Sequence, residues 1–521
     1  MKQKRILWID DEIELLRSHI ILLSEKGYDT STVTNGSDAI EMVKTQRYDL
    51  IFLDEMMPGM GGLETLAKMK DIDANVPVVM VTKSEEETLM NEAIGSKISD
   101  YLTKPVNPSQ ILLVCKKFLE GKQLAGQYVA KDYMQDFNTI SMSLHDDLDD
   151  DDWRDIYLKL VNWDIELDAH PDIGLRQTLN EQRKECNKEF SKFVEKKYAK
   201  WLKLPLQERP TLTVDVVSEY LVPQLQQHQG PVFFFVLDCL RLDQWMMMEK
   251  LLSEYFNISR NYYYSILPTA TAYSRNALFA GLFPSEIEKY FPDIYTGNDD
   301  NERSMNKYEK EMLQAQLERR RVRLRNESKY IKIIDPEYGR NFEQNILSYQ
   351  NTHLTSVVVN FLDMIAHGRS DSDLLKEIAP DEAAYRSLTA SWFNHSSLLN
   401  TLKTISRIKD ASIVITTDHG SIRALRGAKV LGEKETSTNL RFKFGRNLKV
   451  DDKHALFIKD PVEYKLPKRA MTTNYIIAKE DYYFVYPTEY HKYLSHYKDT
   501  FQHGGISLEE MILPVITLGT R

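Results

Sequence analysis

Cysteine is scarce in this chain: Cys115, Cys186 and Cys239 are its only three, far apart and without paired spacing. That excludes a disulfide framework and a thiolate zinc site, so all three read as core residues. No apolar run is much longer than one strand. Neither a membrane span nor a secretory leader is therefore expected, and the chain is expected to stay in the cytoplasm. Basic residues are in deficit as well, 67 Lys and Arg against 77 Asp and Glu for a formal net charge of −10. This argues against a chain-wide nucleic-acid or acidic-membrane footprint and leaves room only for a local basic groove. A recognisable helix-turn-helix is missing from the C-terminal part, which speaks against a DNA-binding regulator.

What is present is enough for two or three domains, because 521 residues exceed what one hydrophobic core holds. Apolar runs at Ile6–Ile9, Leu50–Leu53 and Val76–Val81 alternate with helical patterns, the signature of a parallel sheet covered on both faces. A doubly wound α/β domain is expected over residues 1–120, with its chemistry at the carboxyl ends of the strands. Asp10 and Asp11 follow the first run, Asp54 and Thr82 end later ones, and Lys104 follows Asp100–Thr103. Three clustered carboxylates repel one another and suit a hard, oxygen-seeking Mg²⁺.

The stretches LWIDDE, LIFLDEMMPGMGG, VMVTKSEE and YLTKP resemble the response-regulator receiver domain. The resemblance implies that Asp54 is the phosphoacceptor, and that Asp11, Asp54 and the Met56 carbonyl ligate Mg²⁺ with Asp10 assisting. It further implies that Thr82 and Lys104 grip the phosphate and that Tyr101 is an aromatic switch. Pro58, Gly59, Gly61 and Gly62 supply the loop beyond Asp54. The alternative is a flavodoxin-like domain with a dead acidic pocket.

Residues 121–225 read as a helical bundle linker. A helical pattern runs from Leu112 to about Leu144, followed by Trp153–Ala169 and Pro171–Leu204, with a further helix at Thr213–Leu225. The acidic run Asp146–Asp152 fits a solvated helix start better than a metal site, and Trp153, Trp163 and Trp201 are expected in the bundle core. Such a bundle could also carry dimerisation and pass on a signal.

From about 226 to 521 the pattern returns to buried strands. VFFFVLDC ends in Asp238, VVVNFLDMIAH carries Asp363 and His367, and IVITTDHG carries Asp418 and His419; His503-Gly504-Gly505 follows near the end. Met511–Thr517 and Tyr482–Tyr486 read as closing strands. In ILPTATAYSRNALFAG, Thr271 falls at or near a helix N-terminus, where free N–H groups favour an anion; the alternative is that it only caps the helix. Four residues separate Asp363 from His367, about one turn, so both can reach one ion. Imidazole and carboxylate without thiolate favour Zn²⁺, with Mn²⁺ possible. Arg275, one turn beyond Thr271, could touch a phosphate oxygen or form a salt bridge. Arg241 and Asp243 are expected on the outer face of the helix after Asp238, and Ser507–Glu510 fits a capping box.

These pieces together resemble the alkaline phosphatase superfamily, and within it the PglZ-type domain. The resemblance implies one zinc held by Asp238, Thr271, Asp418 and His419, a second held by Asp363, His367 and His503, and Thr271 as the nucleophile that becomes phosphorylated. Two insertions interrupt the strands: 285–355, with Arg319, Arg320, Arg321, Arg323 and Arg325, and 423–468, with Lys429, Lys434, Arg441, Lys443 and Arg446 interleaved with Phe442 and Phe444. They are either charged surface helices or a roof that holds a nucleotide or short oligonucleotide.

Receiver, helical linker and PglZ-type domain in that order resemble the PorX group of response regulators. That likeness implies a sensor histidine kinase of the PorY kind, an alternative sigma factor as partner, a link to type IX secretion, and homodimer formation on phosphorylation. The expected activity is a zinc-dependent phosphodiesterase or phosphohydrolase; the alternative is a non-catalytic transcriptional adaptor that uses the hydrolase-like fold to bind a partner.

Overall fold

Strands whose residues are apolar at every position must be covered on both faces, and strands of this kind lie at the centre of two sheets. The computed structural model describes residues 3–83, 98–292, 306–433, 439–468, 470–488 and 490–520 and divides into two compact units, Met1–Tyr133 and Met134–Arg521. Lys434 and residues 293–305 of the two insertions lie outside the described residues.

In the first unit, strands Arg5–Ile9, Asp29–Val33, Leu50–Asp54, Val78–Thr82 and Asp100–Thr103 form a parallel sheet in the order 2-1-3-4-5. Alternation decides which side chain goes where. Ile6, Trp8, Phe52, Val79 and Val81 fill one face, and Leu7, Ile9, Ile51, Leu53, Val78 and Met80 the other. Strand order reverses beside Arg5–Ile9, so the ends of the first and third strands frame a crevice that receives Asp10 and Asp54. Helices Pro108–Cys115 and Gly121–Ser143 follow.

The second unit is built on a six-stranded sheet whose neighbours run Phe256–Tyr264, Ile512–Thr520, Ser412–Thr416, Val232–Leu237, Leu354–Val359, Lys329–Ile333. The last four are mutually parallel, whereas Ile512–Thr520 is antiparallel to both its neighbours. Along Val232–Leu237, residues Phe233, Phe235 and Leu237 enter one hydrophobic layer. Phe234 faces the opposite way, its ring 6.0 Å from Phe279 of helix Thr271–Ala280. Period-2 alternation thus seats that helix on the sheet.

Several expectations need correction. Tyr482–Val485 does not close the main sheet; it pairs with Arg426–Lys429, and Phe484 joins Ala428, Val430, Leu448, Ile476 and Ala478 in a small core of the second insertion's own. Phe256–Tyr264, not expected as a strand, takes the edge beside Ile512–Thr520. The expected Thr213–Leu225 helix is present, as an unbroken helical stretch that opens with a tight turn at Thr213–Asp215, widens over Val217–Leu221 and continues through Val222–Gln227. The linker helices Asp150–Ala169 and Arg176–Trp201 meet the hydrolase-like sheet itself at Tyr264, whose hydroxyl donates to the Asp150 carbonyl (2.7 Å) and whose ring lies 5.3 and 6.4 Å from those of Trp201 and Phe190. Trp153 and Trp201 are buried as expected, but Trp163 is only half-buried and donates to Asp136 (3.0 Å). Asp149 and Asp152 cap the first linker helix reciprocally (2.9 and 3.0 Å), which accounts for the acidic run.

Candidate active site

Parallel neighbours in level register end together. Val236 pairs with Thr416 and Leu237 with Val359, so Asp238, the Asp418-His419 pair and the start of helix Phe361–Asp371 emerge on one sheet edge. That helix carries Asp363 and His367, and His503 follows strand Thr500–Gln502. Thr271 is the first residue of its helix; the N-cap is Ala270, which has no side-chain acceptor. Thr271 is thus no cap, and its hydroxyl lies 2.9 Å from His419 Nε2.

Two groups result. Asp238, Asp418 and His419 form one, and Asp363, His367 and His503 the other. In the second, His367 Nε2 stands 3.1 Å from His503 Nε2 and 3.3 Å from Asp363 Oδ1, with His503 Nε2 3.8 Å from the same oxygen. In the first, His419 Nε2 lies 3.7 Å from both Asp238 Oδ1 and Asp418 Oδ2. The imidazoles of His419 and His503 stack with centroids 4.1 Å apart, so the groups adjoin.

The donor set passes a test of fit. Ligands about 2.0–2.1 Å from a tetrahedral ion stand about 3.3 Å from one another, and the spacings above bracket that edge. Asp418 Oδ2 is buried without a hydrogen bond, and the His367 and His503 Nε2 atoms face one another at 3.1 Å, close enough to share one ion. The second-group imidazole is also in the ligating form, since burial, with His419 and His367 nearby, holds His503 well below the usual histidine range. The Gly420 carbonyl lies 3.0 Å from His419 Nδ1, which makes Nδ1 the protonated nitrogen and leaves the Nε2 lone pair facing Thr271.

The supporting interactions were mostly not visible in sequence. Cys239 adopts a left-handed conformation (φ 65°), a strain of order 1 kcal/mol that turns the chain sharply after Asp238. Thr269 donates to the Gly505 carbonyl (2.8 Å) and accepts from Gly504 N–H (3.1 Å), holding the His503 loop against the arrival of Thr271. Glu510 accepts from Gly505 N–H (2.8 Å) and pairs with fully buried Arg441 through two hydrogen bonds, 3.2 and 2.5 Å. Ser507 caps as expected, yet Glu510 accepts from Gly505, Arg441 and the Ser507 hydroxyl and not from the Ser507 N–H, so only half of the capping box exists. An acid shortly after a glycine pair was the only sequence signal.

Arg275 is buried and its guanidinium binds Asp238 Oδ2 (2.6 Å) and Glu309 Oε1 (2.7 Å). The substrate contact weighed for it gives way to the ion pair: Arg275 sits behind Asp238 and fixes it. Glu309 comes from the first insertion, which therefore braces the site through Arg275. In the second insertion Arg441, Lys443, Phe442 and Phe444 are buried, Lys443 donating to the Asn439 carbonyl (2.9 Å), so they are not a free cationic surface. Arg319 is bound to the Ala280 carbonyl and Arg325 to the Gln229 and Gly230 carbonyls. Arg241 and Asp243, expected on an outer face, are buried and paired (3.0 Å).

In the first unit, Asp10, Asp11 and Asp54 group together. Lys104 Nζ reaches Asp10 (2.8 Å) and Asp54 (2.9 Å). Burial, only partly offset by Lys104, raises the Asp54 carboxyl above its ordinary value. Thr82 donates to Glu55, Tyr101 is exposed, and Met56 N–H approaches Asp54 Oδ1 at 3.5 Å.

Fold and site define the class: a receiver-bearing response regulator joined to an alkaline-phosphatase-like α/β domain. Residues 216–518 match the model of the BREX system PglZ alkaline phosphatase-like domain, residues 6–116 the response regulator receiver domain, and residues 123–202 the PorX response regulator linker domain. The chain belongs to the PglZ alkaline phosphatase-like family, and its three domains make it a PorX-type response regulator. Among curated proteins it is similar to the alginate biosynthesis transcriptional regulatory protein AlgB of Pseudomonas syringae pv. tomato, 35% identical over 128 residues, which is 25% of this chain and 29% of that protein. The DNA-binding response regulator MtrA of Mycolicibacterium smegmatis is 34% identical over 110 residues, 21% of this chain and 48% of MtrA. The chain thus spans less than half the length of these relatives. Among solved structures, a CheY-like receiver domain protein from Methanospirillum hungatei is 26% identical and is covered over 96% of its chain and 23% of this one, with a TM-score of 0.22. Among the described residues no helix is long and apolar enough to cross a membrane.

Proposed function

We propose that the larger domain is a zinc-dependent phosphohydrolase, acting on nucleotide or oligonucleotide phosphodiesters, and that phosphorylation of the receiver at Asp54 controls it. The observation that carries this reading is the Thr271 hydroxyl 2.9 Å from His419 Nε2 of one ligand group, whose ring stacks on His503 of the other. Asp238, Thr271, Asp418 and His419 would hold one Zn²⁺, and Asp363, His367 and His503 the other. Bound there, such a pair neutralises phosphoryl oxygens and favours the alkoxide form of a nearby hydroxyl.

The chain's own residues do the rest. Thr271 opens helix Thr271–Ala280, whose positive dipole end favours the anion that Thr271 approaches. Arg275 fixes the Asp238 carboxylate in place through the 2.6 Å hydrogen bond. Thr271 Oγ forms the bond to phosphorus as the ester oxygen departs, and water then cleaves the phosphothreonine, restoring the hydroxyl. In the receiver, Asp11, Asp54 and the Met56 carbonyl would hold Mg²⁺ beside Asp10, while Lys104 and Thr82 receive the phosphate. A sensor histidine kinase of the PorY kind would supply the phosphoryl group in the cytoplasm. An alternative sigma factor and the control of type IX secretion complete the reading.

A chromogenic phosphodiester assay tests it: the metal-stripped protein is expected to be inactive and to regain turnover on addition of Zn²⁺. Absence of Zn²⁺-dependent turnover on both mono- and diesters would leave the non-catalytic adaptor as the function. For control, beryllofluoride at Asp54 is expected to raise the dimer fraction in sedimentation velocity; an unchanged profile removes dimerisation from the reading.

A further inference from the structure

The segment Leu508–Met511 touches both sides of the candidate metal site. Glu510 holds Gly505 close to His503, and Gly420, next to His419, has no room for a side chain because a Cβ there would collide with the Glu509 carbonyl oxygen. Both ligand loops therefore rest on residues 509 and 510. What holds that segment comes from the linker. Asn187, on helix Arg176–Trp201 and itself buried, accepts from Leu508 N–H (2.8 Å) and donates to Glu509 Oε2 (3.1 Å), while Arg183 of the same helix approaches Glu509 Oε1 at 3.5 Å.

The other linker helix braces the Asp238 side in a similar way. Asp168 of Asp150–Ala169 binds Arg386 through two oxygens (2.8 and 3.0 Å), Arg386 binds Asp243 (3.1 Å), and Asp243 binds Arg241, three residues past Asp238. Arg241 and Arg386 are fully buried. In a low-dielectric interior such pairs have one good geometry, and a displaced partner strands a charge.

We infer that the linker is a positioning element for the metal site, with Asn187 the residue through which helix Arg176–Trp201 sets the His503 and Asp418-His419 loops. The inference rests on the metal reading above. Its chemistry is an amide that gives one hydrogen bond and takes one, a pattern that can be broken and rebuilt. Asn187→Asp keeps the acceptor for Leu508 N–H but turns a carboxylate against Glu509. Adding Glu509→Gln restores a donor opposite that carboxylate.

The experiment is zinc affinity of the full chain, measured by competition with a chromogenic chelator, beside thermal unfolding. Asn187→Asp is expected to weaken zinc binding about tenfold or more, as loss of support behind metal ligands does, and Asn187→Asp/Glu509→Gln to return it to within about threefold of wild type. Should Asn187→Asp not accumulate as folded protein, Asn187→Ala supplies the comparison and the double variant the rescue. A folded Asn187→Asp with wild-type affinity, or a double variant that stays weak, overturns the inference while leaving the metal reading intact. Wild-type protein that binds no zinc overturns that reading and this inference with it.

Discussion

Thr271→Ala is expected to lower kcat on a chromogenic phosphodiester by about 10³-fold or more, the scale on which removing a covalent nucleophile acts, while leaving the fold and most of the zinc affinity in place. The structure separates these effects. The N-cap is Ala270, so alanine at the first helical position disturbs no cap. Alanine removes the 2.9 Å hydrogen bond to His419, worth about 1 kcal/mol. Asp238, Asp418 and His419 remain to hold the ion. Thr271→Ser keeps an oxygen at the same place and is expected to retain measurable turnover. Steady-state kinetics, zinc titration and thermal unfolding on the three proteins check it. An alanine variant as active as wild type would remove Thr271 from the chemistry without touching the metal site.

Glu510→Ala should produce the largest loss of stability. Arg441 is fully buried, its guanidinium gripped by both Glu510 oxygens (3.2 and 2.5 Å). Truncating the acid leaves an uncompensated buried charge, a destabilisation of about 3–5 kcal/mol. Gly505 N–H and the Ser507 hydroxyl lose their acceptor too (both 2.8 Å), so the His503 loop loosens and zinc affinity is expected to fall as well. Glu510→Gln keeps an acceptor for one of these donors and should cost less. Replacing Arg441 by methionine in the alanine variant should recover part of the loss, because the stranded charge is then gone. Denaturant unfolding followed by tryptophan fluorescence reads these differences; equal stability of wild type and Glu510→Ala would mean that Arg441 finds another partner.

Much of the candidate site was legible because its residues stand where apolar runs stop. Asp10, Asp54, Asp238 and the Asp418-His419 pair each lie at the end of a strand covered on both faces, and hydrophobicity marks such ends without knowledge of the partners. His367 was legible from its one-turn spacing to Asp363, and Thr271 from the proline and small residues that deliver it to a helix start. Charged residues in and near the insertions mislead for a common reason. Arg441 and Lys443 look like surface until a carboxylate or carbonyl of another residue, Glu510 or Asn439, takes them inside, whereas Arg275 settles on the salt bridge that was one of its two readings.

By itself the sequence determined two α/β sheets, their acid-tipped strand ends and the candidate ligands, since period and burial are local properties of a strand. Only the tertiary structure decided that Ile512–Thr520 enters antiparallel, that Arg275 braces Asp238 and is not left free for substrate, and that a linker asparagine underlies the ligand loops. The pairing of a buried charge or amide depends on which distant segment arrives beside it, and that is settled by packing, which no local pattern encodes.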